Sequence, residues 1–193
     1  MASRTGAISR ATDYIDSGQF EADLARRVAI PTESQVPQGL PHLTRYLEEE
    51  MIPAFEAMGF ACRTFDNPVA GAGPVLLATR IEDPARPTVL GYGHGDVIRG
   101  LEDQWTKGAG PWKTARDGER LYGRGTADNK GQHTINMAAM KAVIEERGSL
   151  GFNAKVMIEM GEENGSAGVH QIIGANKDAF AADVFIGSDG PRV

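Results

Sequence analysis

Two adjacent glutamates, Glu162 and Glu163, follow the run VMIEMG at 156–161. The run alternates, with Val156 and Ile158 on one face, and reads as a buried strand that stops at Gly161. Neighbouring side chains at a strand end diverge, so one carboxylate can hold a cation while the other stays free to take a proton from water. That division of labour is the chemistry of metal-assisted hydrolysis. Two further apolar runs end in the same kind of residue. Thr88 to Tyr92 (TVLGY) leads into His94, Gly95 and Asp96, and Val184 to Gly187 (VFIG) leads into Ser188, Asp189 and Gly190. In an open, mostly parallel sheet the carboxyl ends of the strands border a crevice, so residues distant in sequence can converge there.

A fourth candidate, Asp128, lies in the glycine-rich stretch LYGRGTADNKG at the mouth of an expected helix. His94, Asp128, Glu163 and Asp189 together offer one imidazole and three carboxylates, more than one catalytic zinc with an open position needs. Two divalent cations suit the set better, about 3.5 to 4 Å apart, with Asp128 as the natural bridge. Asp96, two residues after His94, is placed to accept a hydrogen bond from the other imidazole nitrogen and fix its tautomer. Ligands of this kind suit zinc, cobalt or manganese, with the choice left open by the sequence. Taken singly, each residue has a plainer reading. Paired glutamates are usually a solvated surface pair, Asp128 an N-cap and Asp189 a turn residue. Their ordered recurrence at strand ends favours the metal.

The rest of the chain must position these groups. Its 193 residues suffice for one domain with a full core, and 41% hydrophobic with 24% charged residues is an ordinary globular composition. The formal charge of −6, with scattered Lys and Arg, gives no basic stripe for nucleic acid. No run approaches a membrane span, and the N-terminal stretch lacks the apolar core of a secretory signal, so the cytoplasm is the expected location. A single cysteine, Cys62, rules out an intramolecular disulfide and a thiolate zinc site, and reads as a small core residue.

Helical spacing predicts a helix from Gln19 to Val28, stopping before Pro31, and a second from Pro41 to Met58 with Leu43, Leu47, Phe55 and Met58 inward and Gly59 as its cap. Phe60 to Phe65 and Val75 to Ile81 read as strands. Val97 to Gly125 reads as a long irregular loop containing Trp105 and Trp112, both assigned to loop packing. A helix follows over Lys130 to Arg147 with Ile135, Ala138, Ala139, Ala142 and Val143 as its apolar face, and another over Ser166 to Ile173.

The motifs HGD at His94, GRGTADNKG around Asp128, GEENGS at Glu162 and SDG at Asp189, in that order, make the chain resemble the M20 metallopeptidases, the aminoacylase and carnosinase-like dinuclear hydrolases. The resemblance implies a three-layer αβα fold with a mostly parallel central sheet. It implies His94 and Asp189 on one metal, Glu163 on the other, Asp128 bridging, and Glu162 as the catalytic base supported by Asp96. It further implies a cis peptide after Asp128, and cleavage of an amide bond of a small peptide or an N-acyl amino acid.

The resemblance also implies full-length relatives that form homodimers and continue into a lid or dimerisation domain and a returning segment with a further histidine ligand. Residues 1–193 would then be the N-terminal portion of the catalytic domain. His42, His133 and His170 match no ligand position, so weak or absent activity is expected of the chain alone. The acid before the glutamate pair is followed here by Met160 and Gly161, where relatives place glycine first, a change expected to leave the pair in place. Two rival readings are a non-catalytic metal-binding fragment and a phosphate or nucleotide binder using the glycine-rich loop. The second lacks both the P-loop and the dinucleotide spacing, and Asp128 would repel phosphate.

Overall fold

The computed structural model describes residues 2–189. A five-stranded sheet runs in the order β1 (Ala61–Phe65), β2 (Val75–Arg80), β6 (Asn153–Glu159), β3 (Thr88–His94), β7 (Val184–Gly187). β3 pairs in parallel with β6 and β7, while β2 is antiparallel to both β1 and β6, so every strand except β2 points the same way. Alternation assigns the two faces. Leu76, Ala78, Val156 and Ile158 join one core, with Tyr46, Leu47, Phe55 and Met137; Val75, Leu77 and Met157 join another, with Phe65, Ile172 and Phe180.

The first core is roofed by α3 (Leu40–Tyr46), α4 (Ile52–Ala57) and α5 (Lys130–Arg147), the second by α6 (Val169–Ala175) and α7 (Lys177–Phe180). Helices on both faces of one sheet make three layers, as expected. β7 stands at the edge, and among the described residues no strand pairs with its outer side.

Three local outcomes differ from the expectations. The Pro41 to Met58 helix exists but carries a wider turn over Leu47–Met51 between α3 and α4, and Gly59, at φ +78°, ends it. The segment expected to be irregular contains a short hairpin, β4 (Ala115–Asp117) with β5 (Arg120–Tyr122). In α5 the expected apolar face holds only toward its C-terminal half: Ala142 is buried and Val143 packs on the core, but Ile135 is 48% exposed, and Gln132, His133, Thr134 and Met137 are buried in the first half. Apolar periodicity misplaced the first half because the helix buries polar side chains there.

The chain also begins with α1 (Arg4–Asp16), which packs on α5 and α2 (Gln19–Val28) and is capped by the Ser3 hydroxyl accepting from the Gly6 N–H at 2.9 Å. Its apolar pattern is weak, with Ala7 buried and Ile8 and Ile15 more than half exposed, which hid it in the sequence. No helix among the described residues is long and apolar enough to cross a membrane.

Candidate metal centre

The parallel strands β3, β6 and β7 release His94, the Glu162–Glu163 pair and Asp189 at one rim, and the N-terminus of α5 brings Asp128 to the same place. His94 is enclosed, its side chain 1% exposed, with Nε2 turned to the rim. Nε2 lies 2.9 Å from Asp128 Oδ1, 3.8 Å from Asp189 Oδ2 and 3.9 Å from Glu162 Oε2. Ligand atoms of His94, Asp128 and Glu163 lie within 4.8 Å of one another, and those of His94, Glu162 and Asp189 form a second such group. All the residues singled out at the strand ends therefore converge. His94 belongs to both groups, Asp128 and Glu163 to the first, and Glu162 and Asp189 to the second. Gly190 of the SDG motif lies outside the described residues.

Crowded carboxylates set the electrostatics. Burial opposes a charge on His94, but the Asp96 side chain, with Asp128 and Asp189 beyond it, prevails and pushes the imidazole up to about 9. Burial raises Glu162 and Glu163 above the usual carboxylate range; neighbouring carboxylates raise them further and His94 offsets part of this. A site that lifts a histidine and two glutamates together demands positive charge. One imidazole nitrogen and several carboxylate oxygens within reach of a common point are donors that a divalent cation of the zinc, cobalt or manganese type accepts, so the residues fit the group.

Asp96 is fully buried beneath this cluster. The Nδ1 of His94 lies 3.0 Å from the main-chain oxygen of Asp96 and 3.3 Å from its Oδ1, so main chain and carboxylate together orient the ring. The same carboxylate accepts the Ser34 hydroxyl at 2.7 Å and the backbone N–H groups of Glu162 and Glu163, each at 3.1 Å. One buried side chain thereby ties the histidine to the glutamate pair. Asp96 was legible as the partner of His94. Its hold on the glutamate backbone, and the part of Ser34, were not, because nothing in the sequence marks contacts across more than sixty residues.

Behind the pair, Glu159 accepts from the Tyr92 hydroxyl at 2.7 Å and the Ser166 hydroxyl at 3.0 Å, and Met160 is fully buried, so the altered residue order leaves the strand end intact. The Asp128–Asn129 peptide is cis, as the resemblance implies. His133 sits in the core between Tyr46 and Asn129, held well below its ordinary pKa by burial and the nearby cations. Trp105 donates to Gly100 O at 2.7 Å and Trp112 to Glu102 at 2.9 Å, contacts within their own loop. Burial pushes the Cys62 thiol up to about 11, away from nucleophile chemistry.

The family model for peptidase family M20/M25/M40 matches residues 90–192, more than half of the chain. The chain belongs to this family. Within M20, it is 28% identical to the Beta-Ala-His dipeptidase of Rattus norvegicus over 93% of its own length and 39% of that protein's. It is 30% identical to the Cys-Gly metallodipeptidase DUG1 of Candida albicans, over 80% of this chain and 34% of that one. The structure superposes on human carnosine dipeptidase 1 with a TM-score of 0.82 and 30% identity, covering 96% of this chain and 42% of that one. The chain thus spans well under half of the relatives it matches, and His94, Asp128, the glutamate pair and Asp189 all lie within the matched family segment.

Proposed function

We propose that this chain carries the metal-holding and proton-handling part of an M20 hydrolase that cleaves an amide bond of a small peptide or an N-acyl amino acid. Residues 1–193 are, on this reading, the N-terminal portion of the catalytic domain. The observation that carries it is the convergence of His94, Asp128, Glu162, Glu163 and Asp189 at one rim of the sheet. Its membership of M20 and its similarity to proteins named as dipeptidases support the substrate class.

His94, Asp128, Glu163 and Asp189 would hold two divalent cations, zinc in the first instance. When bound, such ions polarise a carbonyl and acidify water. Glu162 is the residue left to move the proton. Its raised pKa suits a base that takes a proton from the attacking water and returns it to the leaving amine. Asp96 fixes the imidazole and the backbone of both glutamates without reaching solvent, so it acts on the reaction by positioning.

Among the described residues both ligand groups draw on the single imidazole of His94, so with one cation on it a second would rest on carboxylate oxygens. This favours weak turnover by the chain as it stands. The test is metal stoichiometry by calorimetric titration with zinc and cobalt, followed by a dipeptide hydrolysis assay. Two cations bound with slow hydrolysis agrees with the reading; no binding of either cation ends it.

A further inference from the structure

We propose that Asn129 is a positioning residue whose side-chain amide fastens the segments bearing His94 and Asp189 to the helix behind Asp128, with His133 and Tyr46 backing the amide. The inference deepens the metal reading and concerns a residue outside both ligand groups.

Asn129 is fully buried beneath the rim. Its Oδ1 accepts from the His94 backbone N–H at 3.3 Å, and its Nδ2 donates to the carbonyl oxygen of Ser188, the residue before Asp189, at 3.0 Å. Nδ2 also donates to the side-chain oxygen of Gln132, one turn into α5. A single amide therefore spans β3, the exit of β7 and the start of α5. β3 ends in the candidate ligand His94 itself, and the other two carry one at the adjoining residue, Asp189 and Asp128.

The His94 N–H and the Ser188 carbonyl fix the orientation of that amide, and His133 and Tyr46 continue the network behind it. His133 Nδ1 lies 3.3 Å from Asn129 Oδ1, an atom that only accepts, so the proton sits on Nδ1. Nε2 is then an acceptor, and the Tyr46 hydroxyl, 2.6 Å away, donates to it. Turning the amide over would set its NH2 against the N–H groups of His94 and His133, and its oxygen against those of Ser188 and Gln132. Gly93 leaves the room: a Cβ there would lie 2.9 Å from Asn129 Oδ1 and 3.1 Å from the His133 Cβ. Buried networks satisfied in this manner rigidify what they touch, and supports behind metal ligands typically govern about 10- to 100-fold in affinity.

The experiment uses Asn129→Ala, with Tyr46→Phe as a variant that keeps the ring and removes only the hydroxyl. Backbone hydrogen exchange is followed on chelator-treated protein over segments 93–97 and 184–189, with β2 as the reference. Cobalt affinity by chelator competition and the visible cobalt spectrum are then recorded.

Asn129→Ala is expected to speed exchange in both segments by about tenfold while β2 stays as in the wild type. It is also expected to weaken cobalt binding by about 10- to 100-fold and to shift the spectrum. Tyr46→Phe should move the same readouts in the same direction, less far. Uniform acceleration that includes β2, or wild-type exchange and cobalt binding in a folded Asn129→Ala, overturns the proposal. If Asn129→Ala does not fold, wild-type behaviour of Tyr46→Phe does so instead. A wild-type chain that takes up no cobalt, with exchange still accelerated locally by Asn129→Ala, keeps the clasp and sinks the metal reading.

Discussion

His94 Nε2 and Asp128 Oδ1 lie 2.9 Å apart across 34 residues of sequence, one side chain sealed in the protein and the other 65% exposed. The histidine is the fixed point of the site, and the aspartate reaches it from the open side. A cation gathering both is expected to stabilise the fold. At a free concentration of about 100 times its dissociation constant it would add about 2.7 kcal/mol, raising Tm by about 5 to 10 °C in a domain of this size. Asp128→Asn should remove most of that rise with little change in the metal-free Tm. Scanning calorimetry with zinc, cobalt and, separately, a nucleotide decides the matter, since a rise with nucleotide alone would favour the phosphate reading.

Adjacent on the chain and held by the same Asp96 carboxylate, Glu162 and Glu163 are expected to separate when mutated. Glu162→Gln removes the proton acceptor and should lower dipeptide hydrolysis by about 10²- to 10⁴-fold, to background in this chain, with metal affinity within a few-fold of wild type. Glu163→Gln should weaken metal binding directly. Titration of the two variants in parallel checks the assignment, and an equal loss of affinity in both would reverse it.

Lys130, two residues beyond Asp128, is fully buried; its Nζ donates to the carbonyls of Arg27 and Ile30 at 2.9 and 2.8 Å and lies over the Tyr46 ring. Burial lowers its pKa to about 7, against the pull of Asp96 and Glu50. With the folded value below the unfolded one, the folded state binds fewer protons between about pH 7 and 10.5. Stability from this group is therefore complete above that window and is lost as pH falls through it. A neutral amine still has the two N–H groups the carbonyls need. Lys130→Met should cost about 2 to 4 kcal/mol by stranding both carbonyls. Urea unfolding of metal-free protein should show the gap to wild type wider at pH 9.5 than at pH 7; a gap independent of pH would mean the lysine is charged throughout.

The strands that deliver ligands were legible because each is a short apolar run closed by glycine and a polar cluster, and β7 begins and ends where its run does. Clustering of the ligands followed from placing those ends on one rim. The rest depended on contacts that sequence does not encode locally. Ser34 meets Asp96 across 62 residues, and α5 buries Gln132, His133 and Thr134 as well as the expected Ala142. Polar side chains on a core face look like a solvent face until the network they serve is seen. Asn129, beside a motif aspartate, carries no mark in the sequence of the network its side chain serves.

β7 poses the last question. Val184, Phe185 and Ile186 are 47, 62 and 53% exposed, on a strand that forms the sheet edge among the described residues and itself carries no charge, proline or bulge of the kind that protects such edges. The run is apolar on both faces, the composition of an interior strand. Phe185 stacks partly on Tyr92 of β3, and its remaining surface adjoins a cavity of about 510 Å³ floored by Leu90, Met157 and Ile173. Exposed apolar edges of this kind promote association. The isolated chain is expected to associate as its concentration rises, and Phe185→Lys to restore a monomer while leaving Tm close to wild type, since an exposed side chain contributes within about 0.5 kcal/mol. Sedimentation velocity across a hundredfold dilution checks this, and a wild-type chain that stays monomeric at the highest concentration would show that the edge is already protected.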